Sequence, residues 1–125
     1  MKKLNQDGFT LLELVIVILI ISILAVIGVT FQLSNIRRAR DARRKSDLQE
    51  IRIALAAYFT DKKSYPSTTE GITVLSPDYI KAVPHDPKSG HPDYNYTSDG
   101  YTYVIYATLE NSNDADYPEY TVSVQ

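Results

Sequence analysis

The sequence feature that most constrains the fold is an apolar segment near the N-terminus, from Phe9 to Phe31. Leu, Ile, Val and Phe dominate it, and Glu13 is its only ionisable residue. As a helix, these residues would extend roughly 34 Å, enough to cross a hydrocarbon core of about 30 Å. Because the apolar side chains outweigh one carboxylate that costs about 3 kcal/mol, we predict a membrane-spanning helix. No Ala-x-Ala cleavage site lies near its end, so the segment is expected to stay attached.

The helical pattern continues beyond the apolar segment, because no Pro or Gly occurs between residues 32 and 63. Two pairs of opposite charges stand four positions apart, which supports a helix. They are Asp41 with Lys45 and Arg43 with Asp47. Apolar residues then recur at three- and four-residue intervals, as on a helix face that packs on a core. These are Leu48, Ile51, Leu55, Tyr58 and Phe59. We therefore predict one helix from about residue 9 to about residue 59, apolar in its first half and amphipathic in its second.

The region after the helix is typical of loops followed by a sheet. Helix signals end at Ser64-Tyr65-Pro66, because Pro disfavours helical backbone in the preceding residue. Ser67-Thr68-Thr69-Glu70 has the form of a capping box and predicts a short helical turn through Leu75. Tyr94 to Thr97 and Tyr101 to Leu109 flank an Asp-Gly turn, which indicates a hairpin.

Alternation within the second hairpin strand predicts which side chains face the core. One face would carry Tyr101, Tyr103, Ile105, Ala107 and Leu109. A last strand is expected from Tyr120 to Val124. These patterns predict an α+β fold, in which a long N-terminal helix packs through its amphipathic half on an antiparallel sheet of about three strands.

Charge is distributed unevenly along the chain, although the net charge is only −2. Residues 31–63 carry nine basic and four acidic side chains, whereas residues 64–125 carry two basic and nine acidic ones. The acidic second half argues against nucleic acid as a partner. The sequence has no Cys, which excludes disulfides, thiolate metal sites and a Cys nucleophile.

The N-terminus carries a motif with four parts at fixed spacing. A leader with Lys2 and Lys3 ends at Gly8, Phe9 follows, Glu13 stands five positions after the Gly, and a long apolar helix comes next. This combination resembles the prepilin signal of type IV pilins and type II secretion pseudopilins. The resemblance implies cleavage between Gly8 and Phe9 by a prepilin peptidase, methylation of the new Phe9 amine, and assembly into a filament.

The second half of the chain is similar to the major pseudopilins through shorter matches. These are Tyr65-Pro66, Glu70-Gly71 and Asp86-Pro87. With this resemblance the chain divides into a prepilin leader (1–8), a transmembrane and polymerisation helix (9–31), the amphipathic half of that helix (32–63), and a loop and sheet domain (64–125). Many family members carry a Pro within the apolar helix. This chain has only Gly28 as a weak point, so melting of the helix there is an open question.

Glu13 is the residue of the apolar segment that most needs a partner. A carboxylate in an apolar helix is costly, and an ion pair in low dielectric is worth more than in water. The amine of a neighbouring subunit's Phe9 would supply that pair and fix the register between subunits. Assembly would then involve Glu13 and Phe9 together with the adjacent Leu11, Leu12 and Leu14. Alternatively, Glu13 lies at headgroup level and has no further role.

The basic stretch after the membrane helix raises the question of orientation. Six Arg or Lys residues lie between Arg37 and Lys45, and the positive-inside rule alone would keep the C-terminal domain in the cytoplasm. The family resemblance implies the opposite: a single-pass inner-membrane protein with its domain outside, which then enters a pilus or pseudopilus. The basic residues would contact anionic lipid or acidic surfaces of neighbouring subunits, or form a solvated helix face.

Catalytic and metal motifs are sparse. No nucleophile elbow, phosphate loop or H-E-x-x-H motif occurs, so we predict no enzyme activity and no cofactor. The family resemblance implies one alternative, since pseudopilins can hold Ca²⁺ in a C-terminal loop. Oxygen ligands there would come from Asn111, Asn113, Asp114 and Asp116. A solvated acidic loop is favoured over this site, because the features of an EF-hand loop are missing.

The leading hypothesis is a structural subunit of a type IV pilus or type II secretion pseudopilus. Its expected partners are copies of itself or related pilins, prepilin peptidase, an inner-membrane assembly platform with its ATPase, and membrane lipid before assembly. The alternative is a single-pass membrane protein that does not polymerise and whose acidic domain binds a partner.

Overall fold

The computed structural model describes residues 8–124, without the side chains of residues 29–31. Helix α1 spans Leu11–Lys62, and a short 3₁₀ helix spans Ile72–Leu75. Three strands follow: β1 at Asn95–Ser98, β2 at Tyr103–Thr108 and β3 at Glu119–Val124. The prediction of an α+β fold, with one long helix and a three-stranded antiparallel sheet, is confirmed.

Helix α1 is continuous, and its backbone stays helical through Gly28. The chain nevertheless forms two compact units, one up to Asn35 and one from Ile36 onward. The helix ends where the sequence predicts. Lys63 adopts a positive φ of 61° and donates its N–H to the Phe59 carbonyl at 2.9 Å, which caps the last turn.

The core of the second unit lies between one face of α1 and one face of the sheet. The predicted helix stripe supplies its centre, since Leu48, Ile51 and Leu55 are fully buried. Tyr58 and Phe59 are half-buried at the end of that stripe. The other buried apolar residues are Ala54 on α1 and, from the loops and the sheet, Leu75, Ile80, Tyr94, Tyr103, Ile105, Ala107, Leu109 and Val122.

The sheet has the order β1-β2-β3, with both pairs antiparallel. In the hairpin turn, the Asp99 carboxylate accepts the N–H groups of Tyr101 and Thr102 at 2.9 and 2.7 Å. Gly100 adopts a φ of 92°, which a side chain would disfavour. The predicted core face of β2 is correct from Tyr103 onward. It is wrong for Tyr101, which is 78% exposed because this turn holds it outside the strand.

The predicted capping box at Ser67 forms, but the helix it should start does not continue. The Ser67 N–H and hydroxyl both donate to a carboxylate oxygen of Glu70 at 2.8 Å. Gly71 then turns the chain with a φ of 66°, and the 3₁₀ helix begins after it. The single turn predicted through Leu75 is therefore two short turns.

A buried ion cluster joins α1 to the loops on both sides of the hairpin. We call it the Arg44 cluster, and its members are Arg40, Asp41, Arg44, Asp86 and Glu110. The Arg44 guanidinium is fully buried and contacts Asp41 at 2.7 Å, Asp86 at 2.7 and 2.9 Å, and Glu110 at 2.9 Å. Arg40 binds both oxygens of Glu110, at 2.8 and 2.6 Å. The cluster therefore attaches two loop residues to α1: Asp86, which is 42 positions from Arg44, and Glu110, which is 70 positions from Arg40.

Asp41 also holds the chain that leaves β2. Its carboxylate oxygens accept the N–H groups of Glu110, at 3.0 and 3.1 Å, and of Asn111, at 2.8 Å. The predicted i,i+4 pair of Asp41 with Lys45 is wrong, because both residues bond to distant loops instead. The other predicted pair is correct: Arg43 contacts Asp47 at 2.9 Å.

The charges of the Arg44 cluster favour the ionised form of two of its carboxylates, Glu110 and Asp86. Hydrogen bonds from Arg40 lower the pKa of Glu110 to about 2, and Arg44 adds to the effect. Burial is the largest influence on Asp86 and opposes its charged form, but the hydrogen bonds from Arg44 and from the Lys88 N–H, together with the nearby positive charge, outweigh it and lower the pKa of this carboxyl. The pKa of the Arg44 guanidinium is raised, first by its hydrogen bonds to Asp86.

We predict that substitutions in the apolar stripe of α1 reduce the free energy of unfolding more than substitutions on its exposed face. Leu55→Ala should reduce the free energy of unfolding by about 2–5 kcal/mol, because it leaves a cavity in the core. Ile53→Ala is the matched control, since Ile53 lies on the same helix but is 71% exposed; its loss should stay within about 0.5 kcal/mol. Thermal unfolding of the full chain in detergent micelles, followed by circular dichroism, measures both. Equal losses would mean that the buried face is wrongly assigned.

We also predict that acid weakens the second unit. Glu110 has a pKa of about 2 when folded against an ordinary value of 4.5, so below about pH 4.5 the unfolded chain binds more protons. The stabilisation, at most about 3 kcal/mol at neutral pH, should decline as pH falls from about 4.5 towards 2. Glu110→Gln should destabilise the chain at pH 7 and flatten this decline, whereas Glu119→Gln, an exposed control, should change neither. An unchanged pH dependence in Glu110→Gln would contradict the assignment.

Candidate processing and assembly site

The residues predicted for processing and assembly lie at the start of α1. Gly8 and Phe9 precede the helix, and the Phe9 side chain is 91% exposed. The predicted leader residues Lys2 and Lys3 lie outside the described residues. A Cβ added at Gly8 would meet no atom within 4 Å, so this chain's own packing does not require a Gly there.

Glu13 and Thr10 form a capping box at the start of α1. The N–H and the hydroxyl of Thr10 both donate to Glu13 Oε2 at 2.8 Å. In return, the N–H of Glu13 donates to the Thr10 hydroxyl at 3.2 Å. This reciprocal pattern satisfies donors that a helix N-terminus leaves without partners. The Glu13 carboxylate therefore has a partner within its own chain.

This capping role of Glu13 was not predicted, although its signal is present in the sequence. Thr10-Leu11-Leu12-Glu13 has the same Ser/Thr-x-x-Glu form as the segment that begins at Ser67. The capping box uses only one carboxylate oxygen. Within residues 8–124, Glu13 Oε1 accepts no hydrogen bond, so it remains open to a further donor.

The apolar side chains around Glu13 are largely exposed within the described residues of the first unit. Leu11, Leu12 and Leu14 are 81%, 67% and 62% exposed. By length and composition, α1 is the one described helix that could cross a membrane. None of its most apolar stretch of 18 residues is buried within the described part of the chain. Exposed apolar surface on this scale needs lipid or other apolar helices to cover it.

Three of the six basic residues between Arg37 and Lys45 do not contribute to the free cationic surface that was expected, whereas Arg37, Arg38 and Arg43 are exposed on the helix. Arg40 and Arg44 belong to the Arg44 cluster. The Lys45 ammonium contacts Asp114 Oδ1 and Asp116 Oδ2, each at 2.6 Å. Neither lipid contact nor a solvated face describes these three side chains, because carboxylates of the same chain neutralise them.

Pairing within the second unit also changes the meaning of its acidity. Residues 64–125 look strongly acidic alone, but from residue 36 onward the chain carries eleven basic and thirteen acidic side chains. Many of these opposite charges are in direct contact. The unit is therefore nearly balanced, which removes the main reason for reading it as an acidic partner-binding domain.

The four residues offered as a Ca²⁺ site lie in the loop between β2 and β3. Asp114 and Asp116 are the pair that holds Lys45, and this contact lowers the pKa of Asp114 and raises that of Lys45. Among the described residues, no three His, Cys, Asp or Glu side chains are grouped as metal ligands. Asn111 and Asn113 bond within the loop, at 3.3 Å from Asn111 Oδ1 to the Asn113 nitrogen.

Two family models match consecutive parts of the chain. Residues 3–29 match the prokaryotic N-terminal methylation motif. Residues 32–114 match type II secretion system (T2SS) protein G. The first match contains Gly8, Phe9 and Glu13, and the second contains the Arg44 cluster and all of β1 and β2.

Curated relatives that carry the name type II secretion system core protein G agree with these matches. The Vibrio cholerae protein is 36% identical over 114 residues, which are 80% of this chain and 77% of the relative. The Aeromonas hydrophila protein is 36% identical over 101 residues, 70% and 71% of the two chains. The Pseudomonas aeruginosa protein is 33% identical over 114 residues, 80% and 79%. No solved structure matches the chain significantly.

Proposed function

The chain belongs to the type II secretion system protein G family of pseudopilins, and we propose that its apolar N-terminal helix is both its membrane anchor and its assembly element. As a pseudopilin it is a structural subunit that prepilin peptidase processes, as its N-terminal methylation motif implies. We propose that it acts by polymerising and not by catalysis. The single observation that carries the assembly proposal is the open Oε1 atom of Glu13 on an exposed apolar helix.

We propose that the precursor spans the inner membrane once, with the folded unit outside the cytoplasm. The basic stretch at residues 37–45 is the main argument against this orientation. Three of its basic residues have a role in folding that is independent of membrane orientation. Arg40, Arg44 and Lys45 form ion pairs with carboxylates of the folded unit. This pairing supports the orientation that the family resemblance implies.

Processing is proposed at the bond between Gly8 and Phe9. The cut would leave Phe9 as the first residue, with a free amine for methylation. Both residues lie outside α1 and are exposed, so a peptidase could reach the bond without unfolding the helix. Among the described residues, no atom lies within 4 Å of a Cβ placed at Gly8, which supports the peptidase as the reason for a small residue there.

We predict that Gly8→Leu blocks maturation without disturbing the fold. The variant should keep its leader and stay in the membrane. Gly28→Ala is the matched control, since Gly28 is also free of contacts but is 19 positions from the bond in the apolar helix. Intact mass measures the outcome, because maturation removes residues 1–8 and adds one methyl group. Filaments built normally from leader-bearing Gly8→Leu chains would refute the proposed site.

Assembly is proposed to join Glu13 of one subunit to the Phe9 amine of its neighbour. The capping box leaves Glu13 Oε1 open, and Leu11, Leu12 and Leu14 provide the apolar surface around it. In that surface a charge pair is stronger than in water, and its geometry would set the register between subunits. The apolar helices would exchange lipid for one another in the filament.

Two alternatives give different expectations. If Glu13 only lies at headgroup level and caps its own helix, a neutral residue that keeps the cap should assemble normally. A single-pass protein that does not polymerise would form no filament under any condition. Membership of the pseudopilin family favours polymerisation over that second alternative.

The partners follow from assembly. We propose that the chain polymerises with copies of itself or related pilins, after contact with prepilin peptidase and with lipid. An inner-membrane platform and its ATPase would add the subunits. The folded unit offers no excess of positive charge for nucleic acid, since from residue 36 onward it carries eleven basic and thirteen acidic side chains.

We predict that Glu13→Gln abolishes filaments while leaving the monomer intact. Gln can accept the Thr10 hydrogen bonds at this helix position, so the cap survives and only the charge is lost. Glu13→Val, which loses both, should insert into the membrane more easily by about 3 kcal/mol and also fail to assemble. The yield of sheared filaments, compared at equal membrane level and equal cleavage, measures the effect.

Ser22→Ala is the matched control for these variants. Ser22 is another polar residue of the apolar run, but its hydroxyl donates to the Ile18 carbonyl of its own helix at 2.6 Å. It should assemble at the wild-type level. Mixing wild-type subunits with Glu13→Gln should restore part of the incorporation, because the variant still offers its amine. Wild-type filament yield from Glu13→Gln alone would remove the ion pair between subunits from the mechanism.

A further inference from the structure

The loop between β2 and β3 uses its own oxygens in a way that leaves little for a metal ion. Asn111 Oδ1 accepts the N–H of Asn113 at 3.3 Å, and the Asn111 carbonyl accepts the N–H of Asp114 at 3.0 Å. Asp114 Oδ1 accepts the N–H of Asp116 at 3.0 Å. Ca²⁺ takes about six to eight oxygen ligands, so in this chain, where Asp114 and Asp116 hold the Lys45 ammonium, the loop does not fit the ion that the family resemblance implies.

A cation is nevertheless present in the loop, and it comes from α1. Lys45 Nζ lies 2.6 Å from Asp114 Oδ1 and 2.6 Å from Asp116 Oδ2. The same nitrogen is 5.4 Å from the centre of the Tyr120 ring, within the range of a cation–π contact. The ammonium is therefore held by two carboxylates and one aromatic face.

The surroundings fix the ammonium in place. The Tyr120 hydroxyl accepts a hydrogen bond from Gln49 at 2.7 Å, and Gln49 is one helical turn beyond Lys45. The Lys45 side chain is 27% exposed and that of Asp114 is 22% exposed. The Lys45 contacts thus tie both the loop and the start of β3 to the same face of α1.

We propose that the Lys45 ammonium is a built-in cation that takes the place of a bound metal ion, so that the loop between β2 and β3 closes without Ca²⁺. A metal ion at Asp114 and Asp116 would meet the ammonium at close range and repel it. The two cations therefore exclude each other. This inference concerns the folding of the second unit and does not rest on the proposed assembly.

The test compares the Tm of the full chain in detergent micelles in about 5 mM Ca²⁺ and in EDTA. This Ca²⁺ concentration is well above the dissociation constants of weak extracellular Ca²⁺ sites. The wild-type Tm should be the same in both. Lys45→Met removes the ammonium but keeps most of the aliphatic side chain. Its Tm should fall by about 5 °C in EDTA and rise again when Ca²⁺ is added.

Two further variants separate charge from shape. Lys45→Arg keeps a positive charge at this position and should stay insensitive to Ca²⁺. Lys81→Met, an exposed control in the same unit, should leave the Tm unchanged in both conditions.

Three results would overturn the proposal. The first is a rise in the wild-type Tm with Ca²⁺, and this comparison decides the matter even if Lys45→Met fails to fold. The second is a Lys45→Met variant as stable as the wild type in EDTA. The third is a destabilised Lys45→Met variant that Ca²⁺ does not restore, which would show that the ammonium and the metal ion are not equivalent. None of these results depends on filament formation.

Discussion

The burial of the Arg44 guanidinium is the constraint on which the second unit depends. A buried charge is tolerated only when its hydrogen bonds are complete, and removal of one partner typically costs about 3–5 kcal/mol. Arg44 meets this demand with carboxylates from three parts of the chain: Asp41 on α1, Asp86 before the hairpin and Glu110 after β2. Since buried ion pairs add little net stability over apolar packing, the main effect of the cluster is to specify one arrangement of two loops.

Local contacts of this fold could be predicted from the sequence, whereas long-range contacts could not. The apolar segment, the stripe at Leu48, Ile51 and Leu55, and the Asp-Gly hairpin follow from local periodicity and turn chemistry. The loop partners of Arg40, Arg44 and Lys45 do not, because they lie 42 to 71 positions away. Local spacing even suggested the wrong partner for Asp41, because an exposed i,i+4 pair is worth less than the bonds that buried Asp41 makes to backbone N–H groups.

The capping role of Glu13, in contrast, is a local contact that four adjacent residues, Thr10 to Glu13, are enough to predict. The family resemblance implies a contact of Glu13 between subunits and says nothing of its local contact with Thr10. The two roles are compatible, because the cap uses Oε2 and leaves Oε1 open. At Tyr101 the alternation rule failed for a physical reason: the side chain of Asp99 takes the backbone donors at this position, and the strand begins two residues later.

The capping box at Thr10 also has a consequence for the timing of maturation. In the precursor the nitrogen of Phe9 is an uncharged amide at the positive end of the helix macrodipole. A cut before Phe9 would turn this nitrogen into an ammonium, a cation where the dipole favours an anion. Proteolysis would thus raise the electrostatic free energy of the isolated helix tip, and an approaching carboxylate would lower it again. If the bond before Phe9 is cut as proposed, the leader would keep this nitrogen an uncharged amide, unable to pair with Glu13 of a neighbour, until the peptidase removes it.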